Sequence, residues 1–481
     1  MNYSLIFYIL GRIIFAVGLL MLLPLGAALL FGDSLLPFVI PLLLALALGI
    51  PLSFIKPKNR RLLAREGFVS VGLSWIVMSL IGCLPYIING AIPAFVDAFF
   101  ETVSGFSTTG ATVLADIEAV DKSLLLWRSL TQWIGGMGVL VFLLAIMSRA
   151  ESGTGSLMQL MRAEVPGPTV GKLVARISTT ARVLYGIYIV LTLAEFIFLL
   201  FGDMNTFEAL CHSLSTAGTG GFGVKNDSLM SYSAYSQYVV AVFMLLFGTN
   251  LNLFYLLLTG HLLRALKNEE LRWYLGIAAA VTALISVGIF ASVGTAEGSF
   301  RHGFFQTVSI MTTSGFATSD FELWPFYTQL LLVFLMFCGG CAGSTAGGFK
   351  VSRLLLLLKN GRREAKYISH PRAVLSVKLE GKTVDHETVR GTTSYIIMFT
   401  GLFVLSSLAL IILENCDLVT GVSAAATTLN NVGPALGELG PTDTFTHLCA
   451  PSKLILCFNM LAGRLELFPM LILLSPSTWR N

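Results

Sequence analysis

The sequence predicts an all-α polytopic membrane fold: four pseudo-symmetric repeats of helix, short re-entrant loop and helix around one axis, preceded by an N-terminal pair of transmembrane helices. Three observations predict it. Of 481 residues, 55% are hydrophobic and only 12% are charged, against roughly 25% charged in soluble domains. The charges alternate in sign from loop to loop. A short motif ending in glycine recurs four times, at intervals of roughly 100 residues.

Apolar runs of about 20 residues, the length that crosses a bilayer, occupy 6–30, 36–55, 69–88, 124–147, 183–200, 239–263, 274–293, 330–357, 395–413 and 454–474. They amount to about ten spanning helices. The first run is too long for a signal-peptide core and no small-residue cleavage site follows it, so it reads as a retained helix. Basic residues collect in every second loop: Lys56, Lys58, Arg60, Arg61 and Arg65, then Arg149, Arg162, Lys172, Arg176 and Arg182, then Arg264, Lys267 and Arg272, and last the stretch 350–390. The loops between them carry Asp116, Glu118, Asp121, Asp320, Glu322, Glu438 and Asp443. The positive-inside rule puts the basic loops and both termini in the cytoplasm. The net charge of +4 therefore reports topology and leaves no role for nucleic acid.

Residues 1–66 hold two helices and no copy of the motif, an appendage to the repeats. Repeat 1 spans 67–165, repeat 2 166–272, repeat 3 273–391 and repeat 4 392–481. Each has a half-length apolar segment, at 95–106, 206–216, 300–311 and 418–429. About 12 residues are too few to cross a bilayer, so each segment re-enters from the acidic, outer side. Each leads into a small polar loop: Ser107-Thr108-Thr109-Gly110, Gly218-Thr219-Gly220-Gly221, Thr312-Thr313-Ser314-Gly315 and Asn430-Asn431-Val432-Gly433. Irregular backbone at membrane depth persists only inside protein or beside a water-filled path. Carbonyls turned toward such a path replace the hydration shell of a cation, and the C-terminal end of a short helix favours positive charge. The candidate ion-coordinating residues are thus Thr108, Thr109, Gly110, Thr219, Gly220, Gly221, Thr313, Ser314, Gly315, Asn431, Val432 and Gly433. Four unrelated glycine turns are the plainer alternative.

The return segment of the third repeat, and of that repeat alone, is interrupted by Gly339, Gly340, Gly343, Ser344, Thr345, Gly347 and Gly348, with Lys350 following. Each glycine costs a helix about 1 kcal/mol relative to alanine, which makes a flexible loop, a candidate gate. Glycine-mediated helix packing is the alternative. Arg464 lies inside the last apolar run, where an arginine costs about 2.5–3.5 kcal/mol on insertion scales. It is expected to form a positive barrier near the candidate gate rather than to pair with Glu466, since i and i+2 do not share a helix face. Asp97, Glu101 and Glu208 sit at the outer ends of the short segments, either attracting cations or serving as solvated loop charges. Among seven cysteines only Cys416 and Cys449 share the outer side, where a bridge can form. Cys338-x-x-Cys341 has a metal-like spacing but no second pair or histidine beside it. No nucleophile cluster, histidine metal spacing or phosphate-binding loop suggests an enzyme, and no bound cofactor is implied.

In these features the chain resembles the Trk/Ktr/HKT superfamily of potassium transporters over nearly its whole length. Within that superfamily it is similar to the bacterial Trk-type potassium uptake subunits (TrkH/TrkG). The N-terminal pair, Pro166-Gly167-Pro168, His370-Pro371-Arg372-Ala373-Val374 and the 339–348 loop carry the likeness to that branch. The resemblance implies four pore loops around one pore, with Gly110, Gly221, Gly315 and Gly433 as filter glycines and K+ held at the filter residues. It further implies that 339–348 is an intramembrane gate loop and that Arg464 is the pore-lining arginine. It also implies the bacterial inner membrane, a homodimer, and a cytoplasmic ring of TrkA-type nucleotide-binding regulatory subunits. Glycine at position 110, where some sodium-carrying relatives have serine, favours potassium. Two departures stand out: the second loop is unusually rich in glycine, and the fourth runs Gly433-Pro434. One motif glycine per loop implies a short filter, compatible with passive or proton-coupled movement. The alternative function, a sodium- or proton-coupled carrier of an organic solute, expects an inverted repeat, which four segments entering from one side disfavour.

Overall fold

The computed structural model describes residues 1–55, 64–138, 177–373 and 375–479. The basic residues 56–61 and 149–176, the 139–147 end of the first return run, Pro166-Gly167-Pro168 and Val374 lie outside them. Among the described residues, six helices are long and apolar enough to cross a membrane: Tyr3–Phe31, Leu36–Ser53, Arg65–Asn89, Ala181–Leu200, Glu269–Val293 and His386–Glu414. The first two pack against each other through small residues. A Cβ on Gly18 would come within 2.8 Å of the Ala45 Cβ, and one on Gly49 within 2.8 Å of the Phe15 nitrogen. Such close approach replaces the hydrophobic drive that lipid cannot supply.

Each of the remaining four spanning helices is followed by a short helix: Phe95–Phe106, Thr206–Gly218, Ala296–Met311 and Leu418–Asn430. Side chains cap three of the four starts, and the third begins at Ala296, one turn before the expected 300. Asn205 caps the second in a reciprocal box with Glu208, Thr295 caps the third, and Asp417 accepts from the Thr420 N–H at 3.0 Å. From the third turn onward these helices are almost wholly buried, although they are rich in Ser and Thr. On the spanning helices packed around them, Val287, Ile397 and Ile412 face outward.

The return segments correct the expectation of about ten continuous spans. Ala234–Phe247 turns by 91° into Leu251–Leu258. Phe326–Met336 stops, and Val351–Ser369 begins only after an irregular stretch. Ala450–Arg464 gives way to Phe468–Leu474, with Glu466 and Leu467 at φ 59° and 65°. Lys122–Gly136 ends just before Gly138, at φ 75°. A break is thus shared by the second, third and fourth return segments and is not peculiar to the third. Hydropathy averages over a window and carries no backbone direction, so Gly248 and Asn250 turn the chain while their apolar neighbours keep the run looking continuous.

The loops that join the short helices to the return segments close into a cycle. The Ile117 N–H donates to Asn226 Oδ1 at 2.7 Å, the Leu229 N–H to the Ala317 carbonyl at 3.0 Å, and the Phe445 N–H to the Thr112 carbonyl at 2.8 Å. Glu322 of the third repeat lies against Gly440 of the fourth. The Asn226 amide also donates to Asp116 at 2.9 Å and holds that carboxyl below the usual carboxylate range.

Candidate ion pathway

All four short helices end in the same way. The N–H of the residue before each motif glycine donates back to a carbonyl five residues earlier: Thr109 to Ser104 (2.9 Å), Gly220 to Ser215 (3.0 Å), Ser314 to Ser309 (2.8 Å) and Val432 to Thr427 (2.9 Å). The preceding residue makes the inner bond of the same Schellman cap, Thr108 to Gly105, Thr219 to Thr216, Thr313 to Ile310 and Asn431 to Thr428. That geometry forces the residue two before the glycine into the left-handed region, with φ of 57°, 53°, 57° and 57° at Thr108, Thr219, Thr313 and Asn431. Three of the four are β-branched, for which this conformation is an outlier. The glycines follow at φ 89°, 78°, 80° and 109°.

The four caps meet. The space a Cβ would need at Gly110 is taken by the carbonyl oxygen of Gly220, that at Gly221 by Ser314, that at Gly315 by Val432, and that at Gly433 by Thr109. Each loop therefore rests on the next, in chain order, and the fourth closes on the first. All four glycines line one opening of about 110 Å³. No substitution with a side chain fits these positions without displacing a neighbouring carbonyl, which is why glycine stands at all four.

The irregular stretch of the third return segment lies against this ring. The Gly347 N–H donates to Thr313 Oγ1 at 2.6 Å, and a Cβ on Gly347 would stand 2.8 Å from the Asn430 carbonyl and 3.0 Å from Asn431. Its other side is tied to the break in the second return segment. Cys341 N–H donates to Gly248 O at 2.9 Å, and Leu251 N–H donates to Gly343 O at 3.1 Å. Gly340 O receives the Val351 N–H at 3.1 Å, Ser344 bonds its hydroxyl to Cys341 O at 2.6 Å, and Lys350 directs its ammonium to Ala346 O. Left-handed φ values at Gly339, Gly343, Gly348 and Lys350 fold the stretch on itself.

Arg464 spans the gap to the first repeat. It donates to the Thr345 carbonyl at 2.8 Å and to the Gly135 and Gly136 carbonyls, each at 2.7 Å. The stretch and Arg464 together touch all four repeats. Glu466 instead pairs with Arg353 at 2.6 Å, whose guanidinium lies 4.2 Å from the Tyr395 ring centre.

Several contacts at this site leave no trace in local sequence. Glu270, in the first turn of its helix, accepts the Ala342 N–H at 2.7 Å and the Ser352 N–H at 3.1 Å, tying the middle of the irregular stretch to the start of the helix that follows it. Arg128 and Glu101, 2% and 0% exposed, form a 2.7 Å ion pair. Glu101 accepts in addition from the Val113 N–H at 2.9 Å, and Arg128 donates to Gly223 O at 2.9 Å. The three acids read as possible cation attractors are thus engaged. Glu101 is buried in that pair, Asp97 binds Lys453 at 2.6 Å, and Glu208 closes its own helix cap. Cys416 and Cys449 are both free thiols.

Such a molecule is a single-chain, four-repeat pore-loop membrane protein. The comparisons with known proteins narrow the class. The family model described as TrkH, cation transport protein, matches residues 38–480, and the chain belongs to that family. It is 37% identical to the Trk system potassium uptake protein TrkH of Escherichia coli K12 over the full length of both chains. It is 34% identical to the same organism's Trk system potassium uptake protein TrkG, covering 98% of this chain and 97% of that one. Its fold matches the crystal structure of the potassium transporter TrkH from Vibrio parahaemolyticus with a TM-score of 0.89 and 34% identity, over 100% of each chain.

Proposed function

We propose that this chain is the membrane subunit of a potassium uptake system of the bacterial inner membrane, and that K+ crosses through the ring made by the four glycine-ended loops. The closed seating of each glycine against the next loop's carbonyl carries this reading. A ring of carbonyls from Thr109, Gly220, Ser314 and Val432 replaces water around a dehydrating cation, and four negative helix ends converge on it. The 339–348 loop and Lys350 act as the gate beneath, and Arg464 adds positive charge against unregulated leak. The naming of the relatives as potassium uptake proteins supports the choice of ion.

The basic loops and both termini face the cytoplasm on this reading. A second copy of the chain completes a homodimer, and a TrkA-type ring of nucleotide-binding subunits docks on the cytoplasmic face. The basic helix Val351–Ser369 leads there directly from the gate loop. The chain is expected to restore growth at low external potassium to cells lacking other potassium uptake. Chain present in the membrane without rescue, and without rubidium uptake, would overturn the proposal.

A further inference from the structure

The second loop is held differently from the third and fourth. In the third loop, the hydroxyl six residues before the glycine spans the turn directly: Ser309 Oγ donates to the carbonyl of Phe316 at 2.6 Å. The fourth repeats it, with Thr427 Oγ1 donating to Pro434 O at 2.9 Å. In the second, the equivalent Ser215 hydroxyl meets Gln132 Oε1 at 2.5 Å instead. That oxygen also accepts the Phe222 N–H at 3.1 Å, while Gln132 Nε2 donates to Gly220 O at 2.6 Å. One amide, fully buried and carried on the return helix Lys122–Gly136 of the preceding repeat, thus grips the loop on both sides of Gly221.

The same amide explains a glycine that backbone geometry does not require. Gly220 has an ordinary φ, unlike Gly221. Thr109, Ser314 and Val432 carry side chains at the matching position. A Cβ on Gly220 would fall on the Gln132 side chain, 2.5 Å from Oε1 and 2.6 Å from Nε2. The amide fills the volume that the loop's own side chain fills elsewhere. Gly220 O is also one of the four carbonyls that seat a neighbouring glycine, that of Gly110. An amide donor at 2.6 Å fixes where that oxygen points and withdraws part of its electron density from the pathway.

We infer that Gln132 is a positioning residue for ion selection, setting the direction and strength of the Gly220 carbonyl. The inference rests on the reading of the four loops as a filter. Gln132→Ala is expected to lower the potassium-over-sodium flux ratio about tenfold, the equivalent of one good hydrogen bond. Gly220→Ser is expected to be harmful beside Gln132 and beneficial in the Gln132→Ala background, where the serine occupies the vacated space. That reversal of sign separates positioning from general destabilisation. Flux ratios are measured in liposomes with purified protein, with Gly315→Ser run in parallel. A ratio altered by Gly315→Ser but not by Gln132→Ala overturns the role of Gln132 alone. No change in either overturns the filter reading and this inference with it. Should the alanine variant fail to reach the membrane, Gln132→Met, which is close in size and removes the amide donor without adding charge, is read by the same ratio and the same criteria.

Discussion

At the scale of single residues, the ring is built from strained or cramped positions. Thr108, Thr219 and Thr313 hold a left-handed conformation that costs a β-branched residue on the order of 1–2 kcal/mol. Glycine or asparagine is easier there, as Asn431 illustrates. At Thr313 the hydroxyl has a use, accepting the Gly347 N–H. Gly315→Ser forces a Cβ onto the Val432 carbonyl, and the potassium-over-sodium flux ratio is expected to fall by about tenfold or more, roughly 1.4 kcal/mol. Glu101→Gln leaves Arg128 charged and buried, with an expected loss of about 3–5 kcal/mol, measurable as a lowered thermal-inactivation temperature in detergent. The motif glycines were legible because a small-residue loop behind a half-length apolar run is a local pattern. Gln132 was not. Its partner Gly220 O lies 88 positions away, and a glutamine in an apolar helix looks the same in sequence whether it faces a filter or a neighbour.

At the scale of elements, the short helices are legible in the sequence except for the first turn of the third, which begins at Ala296 rather than at 300, and the return segments are not. A short helix announces itself by caps and length. A break in a return segment depends on two or three residues that apolar neighbours outweigh. The third break was visible only through its five glycines. The second rests on Gly248 and Asn250, and the fourth on Glu466 and Leu467. These breaks hold the irregular loop in place, since Gly248 O and Gly343 O take part in bonds across two repeats. Arg464 adds three carbonyl bonds to that clamp. Arg464→Ala removes both the charge and the clamp, so resting flux is expected to rise severalfold in proteoliposomes. Unchanged conductance would leave the arginine a purely structural part.

At the scale of the whole molecule, charge placement and the ring give separate handles. On the proposed orientation, Thr442→Cys in a chain whose Cys416 and Cys449 are replaced by serine is expected to react with an impermeant thiol reagent on intact cells. Ser369→Cys in the same background should react only after permeabilisation. Reversed labelling would invert the orientation. The overall plan of four repeats was legible because composition, charge alternation and motif spacing agree, whereas the order in which loops touch was not, because spacing carries no handedness. That order has a consequence. A homotetramer can be altered only four positions at a time, but here each quarter is its own gene segment. Because every glycine leans on the loop that follows it, a bulkier residue in one quarter pushes its successor, so an alteration at position 110 should surface in the second loop and one at 433 in the first. Damage would travel around the circle in one rotational sense, like a queue in which each member feels only the shoulder behind.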